Sequence, residues 1–405
     1  MKLKISEWKI SMYRIIAMFL AISPILDPYI ICEVGNSLTI RINDVFILIL
    51  AFYCFTKKPK LNKDSIKLVG LLIALSIFNI IACIDSPWAF PITIKNLVIF
   101  FMYSICFMYI WKMPCREKFF KYAELIGILA SIIIILQFIF GHLGIDMWNG
   151  RLPFIQLSKY DGWAGYIDKN TGEIRPCGIF QEPSYAAIYL AIIFFNALEK
   201  QKFKKAILFG ISALLTSSLL AFLLIGVSIV YFFIQAKKLN ISITFLLKIA
   251  IFLGITTIII LYLGKVNDSI AFIVDYISKR ILNLGSDLNG QRMSSSKYRI
   301  LGHIDLFENY TISQRLFGVG IGQYASRFNV SSYSNVIVTT LLNSGLLGVV
   351  SLVIYMISLM KKKNYVLYAF LFILVMCFDY QWFSMYFFYL LSPCYLKREE
   401  NISKE

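Results

Sequence analysis

Charge is scarce in this chain: Asp, Glu, Lys and Arg make up 16% of its 405 residues, against 59% hydrophobic. A soluble domain carries roughly a quarter charged residues, so a soluble enzyme or scaffold is excluded. Acids are scarcer than bases, 23 against 40, which leaves a net charge of +17. Histidine is almost absent, with two residues, and the eight cysteines contain no Cys-x-x-Cys pair. Neither a zinc site nor a disulfide framework follows. No GK[ST] sequence stands in a strand–helix unit, so there is no Walker loop. The basic start leads into an apolar run holding Pro24, Asp27 and Pro28 but no small-x-small cleavage site. It reads as an uncleaved first span.

Long apolar runs are what the chain has in abundance, and mean hydropathy is +0.71. Hydrophobic spans are expected near 12–31, 42–56, 66–84, 92–111, 120–141, 183–198, 204–216, 217–235, 243–264, 335–360, 365–379 and 381–395. This is the pattern of an all-α polytopic membrane protein with about twelve helices, a single integral membrane domain over 1–405. The division of 203–235 rests on Thr216-Ser217-Ser218, and that of 365–395 on Asp379-Tyr380-Gln381. With the N-terminus inside, alternate connections carry lysine clusters: Lys57 to Lys63, Lys112 to Lys121, Lys200 to Lys205, Lys237–Lys238 and Lys361–Lys363. That is the positive-inside pattern, so the excess charge signals topology and no nucleic acid is needed to explain it. Two large outer loops remain, 142–181 and 265–334.

Eight of the eleven arginines fall on the outer side of this topology, whereas 23 of the 29 lysines fall inside. Arginine is preferred where phosphate or carboxylate is gripped bidentately. The outer face therefore reads either as a site for an anionic ligand or as arginines paired with outer acids. One stretch stands out, residues 175–186, Arg-Pro-Cys-Gly-Ile-Phe-Gln-Glu-Pro-Ser-Tyr-Ala. Pro183 suits a first helical position, which puts Glu182 at the positive end of a helix seven residues after Arg175. The first loop adds Trp148, Arg151, Tyr160, Asp161, Trp163, Tyr166 and Asp168, a set that fits either a sugar site or an interfacial aromatic belt. In the second loop, Ser294-Ser-Ser296 is expected to cap a helix running to about Tyr310. Arg299 and His303 share a face of it, as do Ile300, Ile304 and Phe307. Leu316-Phe-Gly-Val-Gly-Ile-Gly322 follows, whose backbone N–H groups are candidates for approaching an anion. Then come Asn335 and the small-residue run Asn343-Ser-Gly345-Leu-Leu-Gly348, suited to close helix packing.

Three of these features together resemble the Wzy-type O-antigen polymerases, within the O-antigen ligase/polymerase superfamily. They are Arg175-x-x-Gly178-Ile-Phe-x-Glu182-Pro-Ser184 leading into a span, Arg299 followed by the Leu316–Gly322 run, and Asn335 with Gly345-Leu-Leu-Gly348. The spacing from Arg151 to Gly162 also matches the family's arginine–ten residues–glycine motif, but no arginine–fifteen residues–glycine pattern occurs in the second loop. The related ligases carry a histidine where Ser334 stands, which favours a polymerase. The resemblance implies a GT-C-like helical fold in the bacterial inner membrane, metal-independent chemistry and no cofactor. It implies that polyprenyl-diphosphate-linked oligosaccharides are joined on the outer face, with a chain-length regulator as a partner. Fixed guanidinium groups stabilise a departing diphosphate electrostatically, the role expected of Arg175 and Arg299 with Arg151, Arg280 and Arg315 in support. Asn335 joins them by resemblance. The acceptor hydroxyl needs a base, either Glu182 or His303, and Glu182 alternatively holds Arg175 in position. An O-antigen ligase and a flippase or transporter of lipid-linked oligosaccharide are the competing readings.

Overall fold

A computed structural model describes residues 2–34, 38–56, 63–84, 90–111, 115–157, 163, 165–167, 174–238, 303–330 and 335–360. They are predominantly helical. Two helical stretches, Glu117–His142 and Val336–Tyr355, are long and apolar enough to cross a membrane, and shorter apolar helices accompany them. The expected spans from 42 to 198 are α2 (Ile42–Thr56), α3 (Lys63–Ile84), α4 (Phe90–Trp111), α5 (Cys115–His142) and α6 (Pro183–Glu199). Those at 243–264, 365–379 and 381–395 lie outside the described residues.

The first span differs from expectation. Helix α1 (Lys2–Leu26) stops before Asp27-Pro28, and residues 29–31 start a strand instead. Pro28 has no N–H with which to continue the helix, so the chain turns into a hairpin of β1 (Tyr29–Val34) and β2 (Leu38–Arg41). A two-residue strand from the first loop, β3 (Gln156–Leu157), joins the other edge of β1. Pro24, inside α1, cannot bond the Leu20 carbonyl. The Ser23 hydroxyl does so instead, at 3.1 Å.

Helix α6 is the axis of the bundle. Nearly every one of its 17 residues is buried, as befits a helix that is apolar on all sides. It packs against α5, α7 (Phe203–Leu215) and α8 (Leu219–Lys238), and the Tyr189 hydroxyl donates to the Ala21 carbonyl of α1 at 2.9 Å. The division at Thr216–Ser218 is present: Ser217 has φ 53°, and Phe203 and Phe232 stack edge-on at 5.8 Å. The start of α7 therefore lies beside the late part of α8, and the two helices form an antiparallel hairpin.

The open end of this hairpin marks one end of the bundle, where lysines gather. Glu124 of α5, 4% exposed, accepts from Lys205 Nζ at 2.6 Å, Lys202 Nζ at 3.2 Å and Asn196 Nδ2 at 3.2 Å. At the opposite end, Asp27 binds Arg41 and Asp44 binds Lys95, each at 3.0 Å. Asn43 Nδ2 donates to Asp27 and to the Ser23 carbonyl, and Lys95 also donates to the Thr39 carbonyl.

Candidate functional site

The first loop folds back onto the second end through one glutamine. Gln137 lies near the close of α5 and is fully buried. Its Oε1 accepts from the Cys177 and Gly178 amides at 3.1 and 2.9 Å, and its Nε2 donates to the Trp148 and Gly178 carbonyls at 3.1 and 3.2 Å. Gly178 has φ +63°, and Gly150 lies so close that a Cβ on it would stand 1.9 Å from the Gly178 oxygen. The Arg151 and Arg175 segments are thereby held together. The Tyr166 hydroxyl accepts from the Met147 amide at 2.8 Å, while the Tyr166 carbonyl accepts from the Arg175 amide at 2.7 Å.

Glu182 stands at the N-cap of α6 with Pro183 following, as the sequence predicts, in extended backbone geometry. Ser184 Oγ donates to its Oε2 at 3.1 Å. Cys177, five residues earlier, is a buried thiol pushed up to about 12. Burial is the main cause, and the negative charge of Glu182 adds to it. The two tryptophans also tie the loop together. Trp148 Nε1 donates to the Arg151 carbonyl at 2.8 Å and Trp163 Nε1 to the Asn149 carbonyl at 2.9 Å, so both brace the loop itself. Trp163 also packs at a tilt against Tyr29, ring centroids 5.9 Å apart, and the Tyr29 hydroxyl accepts from the Leu152 amide at 2.7 Å. Arg151 is exposed. Tyr160, Asp161, Gly162 and Asp168 lie outside the described residues.

The second loop is described from residue 303. Of the stretch expected to be helical up to Tyr310, the described part is a 3-10 turn, Ile304–Asn309, with His303 at its N-cap. Thr311 then caps α9 (Ile312–Phe317) through a reciprocal pair with Gln314, which explains the break: Thr-x-x-Gln starts a new helix. Arg315 Nη2 donates to the Glu308 carbonyl at 2.8 Å, tying α9 to the 3-10 turn. The His303 ring lies 6.5 Å from that of Tyr324, the first residue of α10 (Tyr324–Phe328). Arg280 and Arg299 lie outside the described residues.

The glycine run corrects another expectation. Helix α11 (Val336–Met360) is broken at Gly345, which has φ +67°. Residues 316–320 fill the break. Val319 N donates to the Leu342 carbonyl at 3.2 Å and Gly320 N to the Asn343 carbonyl at 2.9 Å. The Tyr310 hydroxyl also donates to Leu342, at 3.0 Å. These N–H groups bind helix carbonyls, so Gly318 and Gly320 bring the backbone of the strap against α11. A Cβ on Gly318 would stand 2.2 Å from the Asn343 carbonyl. Gly345 likewise meets Leu316 and Phe317 at the end of α9, the close helix packing that its small-residue run suggests. Asn335 is buried, and its Oδ1 accepts from the Val338 amide at 2.8 Å as a helix cap.

The structure thus brings together the segments that carry the candidate residues in two groups, those of Arg151, Arg175 and Glu182 in one, and those of His303, Arg315 and Asn335 in the other. Both sit at the end opposite the Glu124–lysine cluster. A run of contacts links them: β3 pairs with β1, Asp27 holds Arg41, Asp44 holds Lys95, and Thr93 Oγ1 lies 3.0 Å from the Cβ position of Gly320. The Asp27–Arg41–Asp44–Lys95 cluster is a further feature of this end, beyond the residues singled out above. Its signal was present, since charges inside apolar spans are costly and kept for a reason. In comparisons with known proteins, no family model and no curated sequence matches the chain.

Proposed function

We propose that this protein is a membrane glycosyltransferase of the Wzy polymerase type, with about twelve spans in a GT-C-like arrangement. It joins polyprenyl-diphosphate-linked oligosaccharide units on the outer face of a bacterial inner membrane. The observation that supports this reading best is the meeting of both motif-bearing segments at one end of the bundle, with lysines gathered at the other. Lysine-rich ends face the cytoplasm, so the arginine-bearing loops face outward.

In this reading the bond between the glycan's first carbon and the diphosphate oxygen breaks, and the diphosphate leaves with the electron pair. Arg175, Arg299 and their neighbours oppose the charge that develops. An acceptor sugar hydroxyl bonds to the same carbon, and its proton passes to Glu182 or His303. Arg315, held on a carbonyl in its own loop, supports the strap before it supports any ligand. Asn335, as a helix cap, positions α11.

Arg175→Ala and Arg299→Ala are each expected to leave single repeat units unpolymerised in cells with normal protein levels. Long chains in both variants would reject these roles. One observation favours a second reading, a flippase: discontinuous helices such as α11 are common in transporters. Lipid scrambling without chain elongation in liposomes would select it. Transfer of finished glycan to lipid A would select a ligase.

A further inference from the structure

Around the break in α11 stand polar side chains with atoms that find no partner among the described residues. Asn79, Gln323, Thr339 and Asn343 are all 0% exposed. Six of their side-chain atoms take no hydrogen bond: Asn79 Oδ1, both amide atoms of Gln323, Thr339 Oγ1 and both amide atoms of Asn343. They are neighbours. Asn79 Nδ2 donates to Ser344 Oγ at 3.0 Å, beside Asn343, whose carbonyl accepts from the Gly320 amide at 2.9 Å. Gln323 N donates to the Gly320 carbonyl at 3.2 Å, and Thr339 lies one helical turn before Asn343, on the same face.

Buried polar groups are almost always hydrogen-bonded, so these atoms call for a partner that the described residues do not supply. Their chemistry narrows it. A cation would engage the oxygens and leave both amide nitrogens unused; an anion would do the reverse. None of the four is charged. The fitting partner is neutral and both donates and accepts, which describes a hydroxyl group. We infer that Asn343, Gln323, Thr339 and Asn79 form a subsite for hydroxyl groups of a neutral sugar ring in the saccharide substrate. The inference rests on the glycosyltransferase reading. The glycine strap at 316–320 would then serve to carry Gln323 to the break. Water offers the same hydrogen-bonding chemistry and is the alternative that the test separates.

The full-length protein in nanodiscs is titrated with undecaprenyl diphosphate bearing no sugar, and with lipid-linked repeat units extracted from cells that make them. The wild type is expected to bind the sugar-bearing probe about tenfold more tightly than the bare one. Asn343→Leu and, independently, the milder Thr339→Val should erase that margin while bare-lipid affinity stays within about twofold. A margin kept by both variants overturns the subsite, and a higher Tm alongside it identifies ordered water. A wild type with no margin sinks the saccharide reading itself, and the subsite with it.

Discussion

Cys177 and Gln137 show how single residues hold the first loop. The Cys177 thiol is pushed up to about 12 by burial, so it stays protonated across the physiological range. A folded-state value above the ordinary 9.0 makes its contribution to stability complete below pH 9 and lost as pH rises towards 12. A maleimide at pH 7.5 is expected to label exposed Cys32 and spare Cys177 until the protein unfolds; equal labelling of both would contradict this burial. Gln137→Leu leaves two amides and two carbonyls of the loop without their partner. Unpaired buried groups cost about 1–3 kcal/mol each, so a fall in Tm with loss of polymer is expected, and an unchanged Tm would remove the clamp from the account. Glu182 at a helix start was legible because Pro183 marks the first helical position. Gln137 was not, since one amide in an apolar run carries no address until the loop it binds is in place.

At the scale of elements, the strap and the broken helix stand or fall together. Gly318→Ala would place a methyl 2.2 Å from backbone atoms of Asn343 at φ +80°. The expected cost is about 2–4 kcal/mol, read as a lower Tm in detergent, and the Gly345→Ala variant should behave alike. Wild-type Tm in both would mean that the strap does not occupy the break. The α7–α8 hairpin was legible because Thr216-Ser217-Ser218 interrupts an apolar run that is long for one span. The β1–β2 hairpin was hidden: Tyr29-Ile-Ile-Cys reads as more of the first span, and only Asp27-Pro28 hints at a stop. The glycine run showed where backbone comes close, while its partner, a helix cut at Gly345, required the tertiary fold.

Across the whole molecule, charge and depth agree. Buried Glu124 holds two lysines at one end, and the other end keeps two acid–base pairs at 3.0 Å beside both motif-bearing segments. Ion pairs so placed stabilise little in net terms but are costly to break on one side only, which suits a role in fixing the hairpin and the α4 end relative to each other. The predominantly helical architecture, with two helices long and apolar enough to cross a membrane, was legible from the long apolar runs. The joining of the two loops through the Asp27–Lys95 cluster was not, because residues 27, 41, 44 and 95 become neighbours only after folding. The central claim is chemical, and purified protein in liposomes tests it most directly. Given lipid-linked repeat units and no metal or other protein, it should yield a ladder of longer glycans on lipid, and Arg175→Ala should yield none. Repeat units that stay single with the wild type, or a ladder undiminished by Arg175→Ala, would contradict it.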